Sequence, residues 1–151
     1  MPITEKSNNM NIRFANLNDV EAIKELIAQL GFPHSSEFIS TKLEQLLDSP
    51  SDQIYVYEDD TIVKALITLH FSVQLAFHGD FMSIGYLVVD ANSRGQEIGK
   101  QLEEFATQIA KERKCSLIEV YSQAKRIDAH RFYERQGYAV AEKFFSKSLE
   151  A

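Results

Sequence analysis

The residues that could do chemistry are concentrated in one stretch, Leu87-Val88-Val89-Asp90-Ala91-Asn92-Ser93-Arg94-Gly95-Gln96-Glu97-Ile98-Gly99-Lys100. A β-branched apolar run passes through a polar turn into a glycine-punctuated loop. That loop opens a segment with Ile98, Leu102, Phe105 and Ile109 at helical spacing. The first amides of such a helix have no intrahelical acceptor and sit at the positive end of its dipole, so they can hold phosphate oxygens. Arg94 and Lys100 flank that point, and Gly95 and Gly99 permit close backbone approach. The stretch predicts a phosphorylated ligand. A dinucleotide fingerprint is excluded, because Gly95-x-x-x-Gly99 is not Gly-x-Gly-x-x-Gly. A nucleotide-triphosphate loop is excluded too, because Gly99-Lys100 is followed by Gln101 where a Ser or Thr would ligate magnesium.

The stretch resembles the coenzyme-A loop of the GNAT superfamily of N-acetyltransferases, Gln/Arg-x-x-Gly-x-Gly/Ala, with Arg94 and Gly99 at its first and last positions and Glu97 where the middle glycine stands. A second segment, Ala129-His130-Arg131-Phe132-Tyr133-Glu134-Arg135-Gln136-Gly137-Tyr138, is similar to the family's C-terminal element, Ala-x-x-Phe-Tyr-x-x-x-Gly-Phe/Tyr. Its residues agree independently: Ala129, Phe132, Tyr133 and Gln136 fall at helical spacing, and Gly137 stands where a left-handed cap is wanted. The resemblance runs from about Asn11 to Phe145. It implies an α/β fold in which a mixed, mostly antiparallel sheet carries a splayed parallel pair, its fourth and fifth strands.

The resemblance further implies acetyl-CoA as co-substrate and transfer of its acetyl group to a primary amine by direct attack in a ternary complex. Pantetheine would pair with the main chain of Leu87, Val88 and Val89. The pyrophosphate would lie on Arg94, Gly95, Gln96, Glu97, Ile98, Gly99 and Lys100. Arg126 stands where the family often has a cofactor-touching Asn, and it or Lys125 is a candidate for a phosphate contact. Tyr133 matches the tyrosine that protonates the departing thiolate, and a backbone N–H near Leu87 or Val88 would stabilise the oxyanion. A non-catalytic acyl-CoA-binding or sensor module with the same fold is the alternative.

Two positions stay open. Many relatives carry a carboxylate base on the fourth strand, where this chain has Ser83-Ile84-Gly85-Tyr86, so the base candidates are Glu119, His78, Asp80 and His34. A Glu97 carboxylate facing the pyrophosphate would cost about 1–3 kcal/mol in repulsion. The dipole and the spacing favour instead an outward Glu97 paired with Lys100. Cys115 reads as a small core residue. Phe32, Phe38, Phe71, Phe77 and Tyr86 are candidates for an aromatic acceptor wall, though most should be core.

Composition sets limits. The chain has 151 residues, with residues 1–10 expected as a flexible tail and 11–151 as a single domain. One cysteine excludes an internal disulfide and a cysteine-rich zinc site, and no metal site is expected. With no membrane-length apolar run and no signal-peptide pattern, cytoplasmic residence is expected. The net charge of −6 argues against nucleic acid as partner. A small-molecule or peptide amine remains as acceptor, and a homodimer is left open.

The elements that must position these residues are a strand over 11–15 and a helix capped by Asn18 or Asp19 with Val20, Ile23, Ile27 and Leu30 inward. A helix from Ser36 follows, with Ile39, Leu43, Leu46 and Leu47 inward. Strands over 53–57 and 62–71 form a hairpin around Glu58-Asp59-Asp60-Thr61, and a third strand over 81–89 completes an antiparallel meander. A helix over 98–113 crosses to a parallel strand over 116–121. A helix over about 128–136 and a strand over 139–145 end the chain. Because one segment is expected to hold both pyrophosphate and pantetheine, acetyl-CoA should raise the melting temperature whereas NAD or ATP at equal concentration should not. A larger shift with NAD in a thermal-melt assay would overturn this.

Overall fold

The computed structural model describes residues 10–120, 127–140 and 145–150. The chain divides into two compact units, one up to Tyr121 and one from Ser122, and each is described by itself.

In the first unit the elements are β1 (Ile12–Phe14), α1 (Val20–Gln29), α2 (Ser36–Asp48), β2 (Asp52–Asp59), β3 (Ile62–Ser72), β4 (Phe81–Val89), α3 (Ile98–Glu112) and β5 (Leu117–Val120). The strands lie in the order β1-β2-β3-β4-β5. All neighbours are antiparallel except β4 and β5, which are parallel. This is the mixed α/β sheet that the sequence predicts. A two-residue turn at Asp60-Thr61, both left-handed at φ 56° and 63°, makes the β2–β3 hairpin, since such turns match strand twist.

Each sheet face is covered by helix. On one face Ile54, Val56, Leu66 and Val88 pack with Ile23 and Leu26 of α1 and Ile39 and Leu43 of α2. On the other, Tyr55 meets Phe105 of α3 edge to face at 4.8 Å, and Leu102, Ala106 and Ile109 are buried. Contrary to expectation Leu47 is exposed, while Leu26, which the predicted stripe omits, is almost fully buried.

The approach to α1 also differs from expectation. Asp19 stands at the N-cap of α1, as expected, but makes no side-chain cap bond there; the capping bond comes from Asn16, whose side chain accepts from the Asn18 N–H at the start of a 3-10 turn, Leu17–Asp19. Asp19 accepts from the Asn16 N–H at 2.8 Å and from both terminal nitrogens of Arg13 at 2.8 and 2.9 Å. Arg13 also donates to Glu58 through Nε. Burial pushes the Asp19 carboxyl up, but the Arg13 and Asn16 hydrogen bonds outweigh it and hold the group below the usual carboxylate value.

No helix among the described residues is long and apolar enough to cross a membrane. In the second unit α4 covers Ile127–Arg135. Ala139, Val140 and Phe145 are not in a strand, and the rest of the strand expected over 139–145 lies outside the described residues.

Because its folded-state value is depressed, Asp19 contributes stability that is present above the unfolded carboxylate value and lost as pH falls through the folded one. Asp19→Ala should cost about 1.5–3 kcal/mol at neutral pH. Its difference from the parent should shrink in urea melts as pH drops through the acid range. A constant difference would contradict the pairing with Arg13.

Candidate active site

The site is built on β4. Ile67 pairs with Leu87 but Leu69 pairs with Ile84, so Gly85 and Tyr86 together oppose Thr68. This bulge has a local cause. The Tyr86 N–H donates to Thr68 Oγ1 at 2.9 Å, and a Cβ on residue 85 would stand 2.8 Å from that same oxygen. Only glycine allows the approach, and a glycine inside a strand is the sequence signal for it.

The bulge reverses the strand's facing. Ile84 and Met82 oppose Leu69 and Phe71, whereas Val88 opposes Leu66 and joins the core under α1 and α2. β4 and β5 pair only from Phe81–Leu117 to Ile84–Val120. Beyond the bulge, Gly85–Val89 has no β5 partner among the described residues.

The loop that follows is tied down from α1. Asp90 caps a 3-10 turn, Ala91–Ser93, by accepting from the Asn92 N–H. Gln29 donates to Asp90 Oδ1 at 2.7 Å and accepts from the Ala91 N–H at 3.0 Å. Sequence reasoning missed Gln29, whose partners lie more than sixty positions away. Arg94, Gly95 (φ 86°), Gln96, Glu97 and Lys100 are exposed, while Ile98 anchors the start of α3 in the core.

Glu97 is the N-cap of α3, left-handed at φ 60°, ψ 23°, with no side-chain cap bond. Its backbone explains why a glycine suits this position. Glu97 is exposed, and the expected ion pair with Lys100 is not among those of the described residues. The Gln101 N–H returns to the Glu97 carbonyl, so the amides of Ile98, Gly99 and Lys100 form the first turn and have no intrahelical acceptor.

The four base candidates separate. Glu119 of β5 lies opposite Ser83 of β4 and accepts from its hydroxyl at 3.0 Å, next to the bulge. His78 and Asp80 belong to the β3–β4 connection, which is clamped to the chain before β5. The Gly79 N–H donates to Ser116 Oγ, the Asp80 carbonyl accepts from the Ser116 N–H, and a Cβ at Gly79 would meet the Lys114 carbonyl at 2.2 Å. His34 stacks on Phe38 at 3.9 Å before and within α2. Of the aromatic wall only Phe71 is core, under Arg113 at 3.8 Å. Phe32, Phe38, Phe77 and Tyr86 are exposed, against the expectation that most would be buried.

In the second unit α4 ends as its sequence predicts. Gly137 is left-handed at φ 95°, its N–H bonds the Glu134 carbonyl, and the Tyr138 N–H bonds the Tyr133 carbonyl. This two-bond cap brings the Tyr138 and Tyr133 rings to 5.5 Å. Ala129, Phe132, Tyr133 and Gln136 form the half-buried stripe, and His130 is half-buried with them. Lys125 and Arg126 lie outside the described residues.

The model of the acetyltransferase (GNAT) family matches residues 20–138. The chain belongs to this family. It is 30% identical over 152 residues to an aminoalkylphosphonate N-acetyltransferase of Salmonella typhimurium, covering 99% of this chain and 94% of that protein. It is 27% identical over 109 residues to the uncharacterized N-acetyltransferase YhdJ of Bacillus subtilis, covering 72% of this chain and 76% of the other. Among solved structures, a Bacillus halodurans protein described as a transcriptional regulator superposes with a TM-score of 0.85 at 22% identity, over 91% of this chain and 98% of that one. Glucosamine-6-phosphate N-acetyltransferase of Arabidopsis thaliana superposes at 0.80 and 23%, over 92% and 97%. The two structures share the fold. The family and the N-acetyltransferase homologues make this GNAT protein an acyltransferase.

With Glu97 exposed and its backbone left-handed, a glycine there removes about 1 kcal/mol of strain. Glu97→Gly should therefore bind acetyl-CoA as well as the parent or more tightly, with no loss of melting temperature. Arg94→Ala should weaken binding by about 1–2 kcal/mol. Calorimetry decides, and a marked loss of affinity in Glu97→Gly would show that its carboxylate is used.

Proposed function

We propose that this protein transfers the acetyl group of acetyl-CoA to a primary amine by direct attack in a ternary complex, in the cytoplasm. One observation carries the proposal. A single continuous segment, Gly85 to Lys100, supplies a bulged strand with no β5 partner among the described residues and then a helix start whose first three amides have no intrahelical acceptor. Pantetheine amides can complete the ladder along Leu87, Val88 and Val89, because buried backbone groups need partners. The pyrophosphate fits the amides of Ile98, Gly99 and Lys100 within the loop Arg94–Glu97, with the Arg94 and Lys100 charges beside it. Arg126 or Lys125 is proposed for a further phosphate contact.

An ammonium acceptor must lose a proton before it can attack. Glu119 is the proposed base, since it lies beside the bulge and is held in place by Ser83. The oxyanion would be met by a free N–H at Leu87 or Val88, that of Tyr86 being taken by Thr68. Tyr133 is the proposed acid for the leaving thiolate, on the strength of its motif and of the cap that fixes its end of α4.

An acyl-enzyme at Cys115 is disfavoured. Burial pushes its thiol up, and the thiolate is the nucleophile. The acceptor is proposed to be a small amine, and the Salmonella relative makes aminoalkylphosphonates the first compounds to test.

Thiol release measured across a panel of primary amines should find an acceptor. Against it, Tyr133→Phe should lower kcat at least ~10-fold with acetyl-CoA affinity and thermal stability nearly unchanged. Tyr138→Phe, which keeps the ring packed on Tyr133, should retain near-normal rates. Equal rates for Tyr133→Phe and the parent would return this tyrosine to a packing role.

A further inference from the structure

Four polar side chains stand in one row across the sheet. Asp52 of β2 pairs with His70 of β3, His70 with Ser83 of β4, and Ser83 with Glu119 of β5. Side chains directly opposite in paired strands share a face, so all four are on the face that carries Ile54 and Leu66, just beyond the core under α1 and α2. Both ends of the row are bonded. His70 Nδ1 lies 2.9 Å from Asp52 Oδ1, and Ser83 donates to Glu119. Asp52 is itself fixed from the end of α2, because its Oδ2 accepts from the Ser49 hydroxyl at 2.6 Å. The Asp52 side chain is 17% exposed and that of His70 52%, so the row leads from a shielded carboxylate to a ring open to solvent. His70 stands between Leu69 and Phe71 in β3, and its ring is exposed where both neighbours are buried.

Acetylation of an ammonium releases one net proton per turnover: two N–H bonds break as the C–N bond forms and the thioester C–S bond breaks, and of the two protons one ends on the thiolate sulfur while the other must leave. The base must pass on what it receives. We propose that this row is the route by which that proton leaves, with His70 as its outlet; this rests on Glu119 being the base. An ionised Glu119 accepts from Ser83, as observed. Once protonated it donates to Ser83 Oγ instead, and the hydroxyl, which can accept and donate at once, hands its own proton to His70 Nε2 directly or through one water. Asp52 makes this possible by holding the ring proton on Nδ1, which leaves Nε2 as the acceptor. The imidazolium then releases the proton to solvent. His70 acts through Ser83 and is a positioning residue of the proton path.

Two measurements on the full-length protein test the proposal. Long-range ¹⁵N–¹H NMR of the imidazoles, with His70 assigned by its loss in His70→Gln, should show the neutral ring protonated on Nδ1, and Asp52→Ala should shift it toward the Nε2 form. This readout needs no acceptor, and a parent ring protonated on Nε2 overturns the proposal whatever the activity. In the thiol-release assay with an aminoalkylphosphonate or another accepted amine, His70→Ala should lower kcat at least ~10-fold without changing the KM for acetyl-CoA, and added imidazole should restore much of the loss. Parental rates in His70→Ala, or a loss that imidazole does not restore, overturn it as well. Failure of the underlying reading looks different: the parent releases no thiol with any amine, or Glu119→Gln keeps the parental rate.

Discussion

The hydrogen bond from the Tyr86 amide to the Thr68 hydroxyl is the constraint on which the rest of this structure depends. It replaces a ladder bond between β3 and β4 with a side-chain bond and inserts one residue into β4. Three consequences follow from that residue. The strand turns its apolar side chains from the α3 face to the α1–α2 face, it bends where its pairing with β5 stops, and the main chain beyond it has no β5 partner among the described residues. A methyl group at position 85 would press on the oxygen that makes the bond, which couples the absence of a side chain there to the opening of the sheet.

The open edge serves a ligand only if the loop after it is held in register, and a long-range contact does this. Gln29 donates to Asp90 and accepts from Ala91, so the end of α1 fixes the turn from which the α3 amides emerge. The Arg13–Asp19–Glu58 cluster in turn fixes the start of α1 against β1 and β2. The anion site at α3 is thereby supported through α1 by polar contacts that are local in space and remote in sequence, while the apolar stripes supply the packing energy.

What could be read beforehand divides along that line. The antiparallel meander, the parallel crossover and the left-handed end of α4 follow from periodicity and glycine placement and emerge as expected, whereas the helical stripes do so in part, Leu47 being exposed and Leu26 buried. Contacts between distant strands were not legible. Nothing in the sequence says that His70 will meet Asp52, or that Thr68 rather than a backbone carbonyl will take the Tyr86 amide. Glu97 is the instructive residue. Read by its charge it is a misfit in a phosphate loop; read by its backbone it is a left-handed cap whose side chain makes no cap bond. The exposed Phe32, Phe38, Phe77 and Tyr86 show the converse limit, since aromatic character marks burial only where a facing element covers it.

The central claim is that the main chain of β4 and the start of α3 together receive acetyl-CoA, and amide hydrogen exchange with and without it tests this most directly. Added acetyl-CoA should slow exchange at one or more of Leu87, Val88 and Val89 and at Ile98, Gly99 and Lys100, with little change in the already paired β2 and β3. Unchanged exchange across Gly85–Lys100 at saturating acetyl-CoA, or protection confined to another part of the chain, would contradict the account.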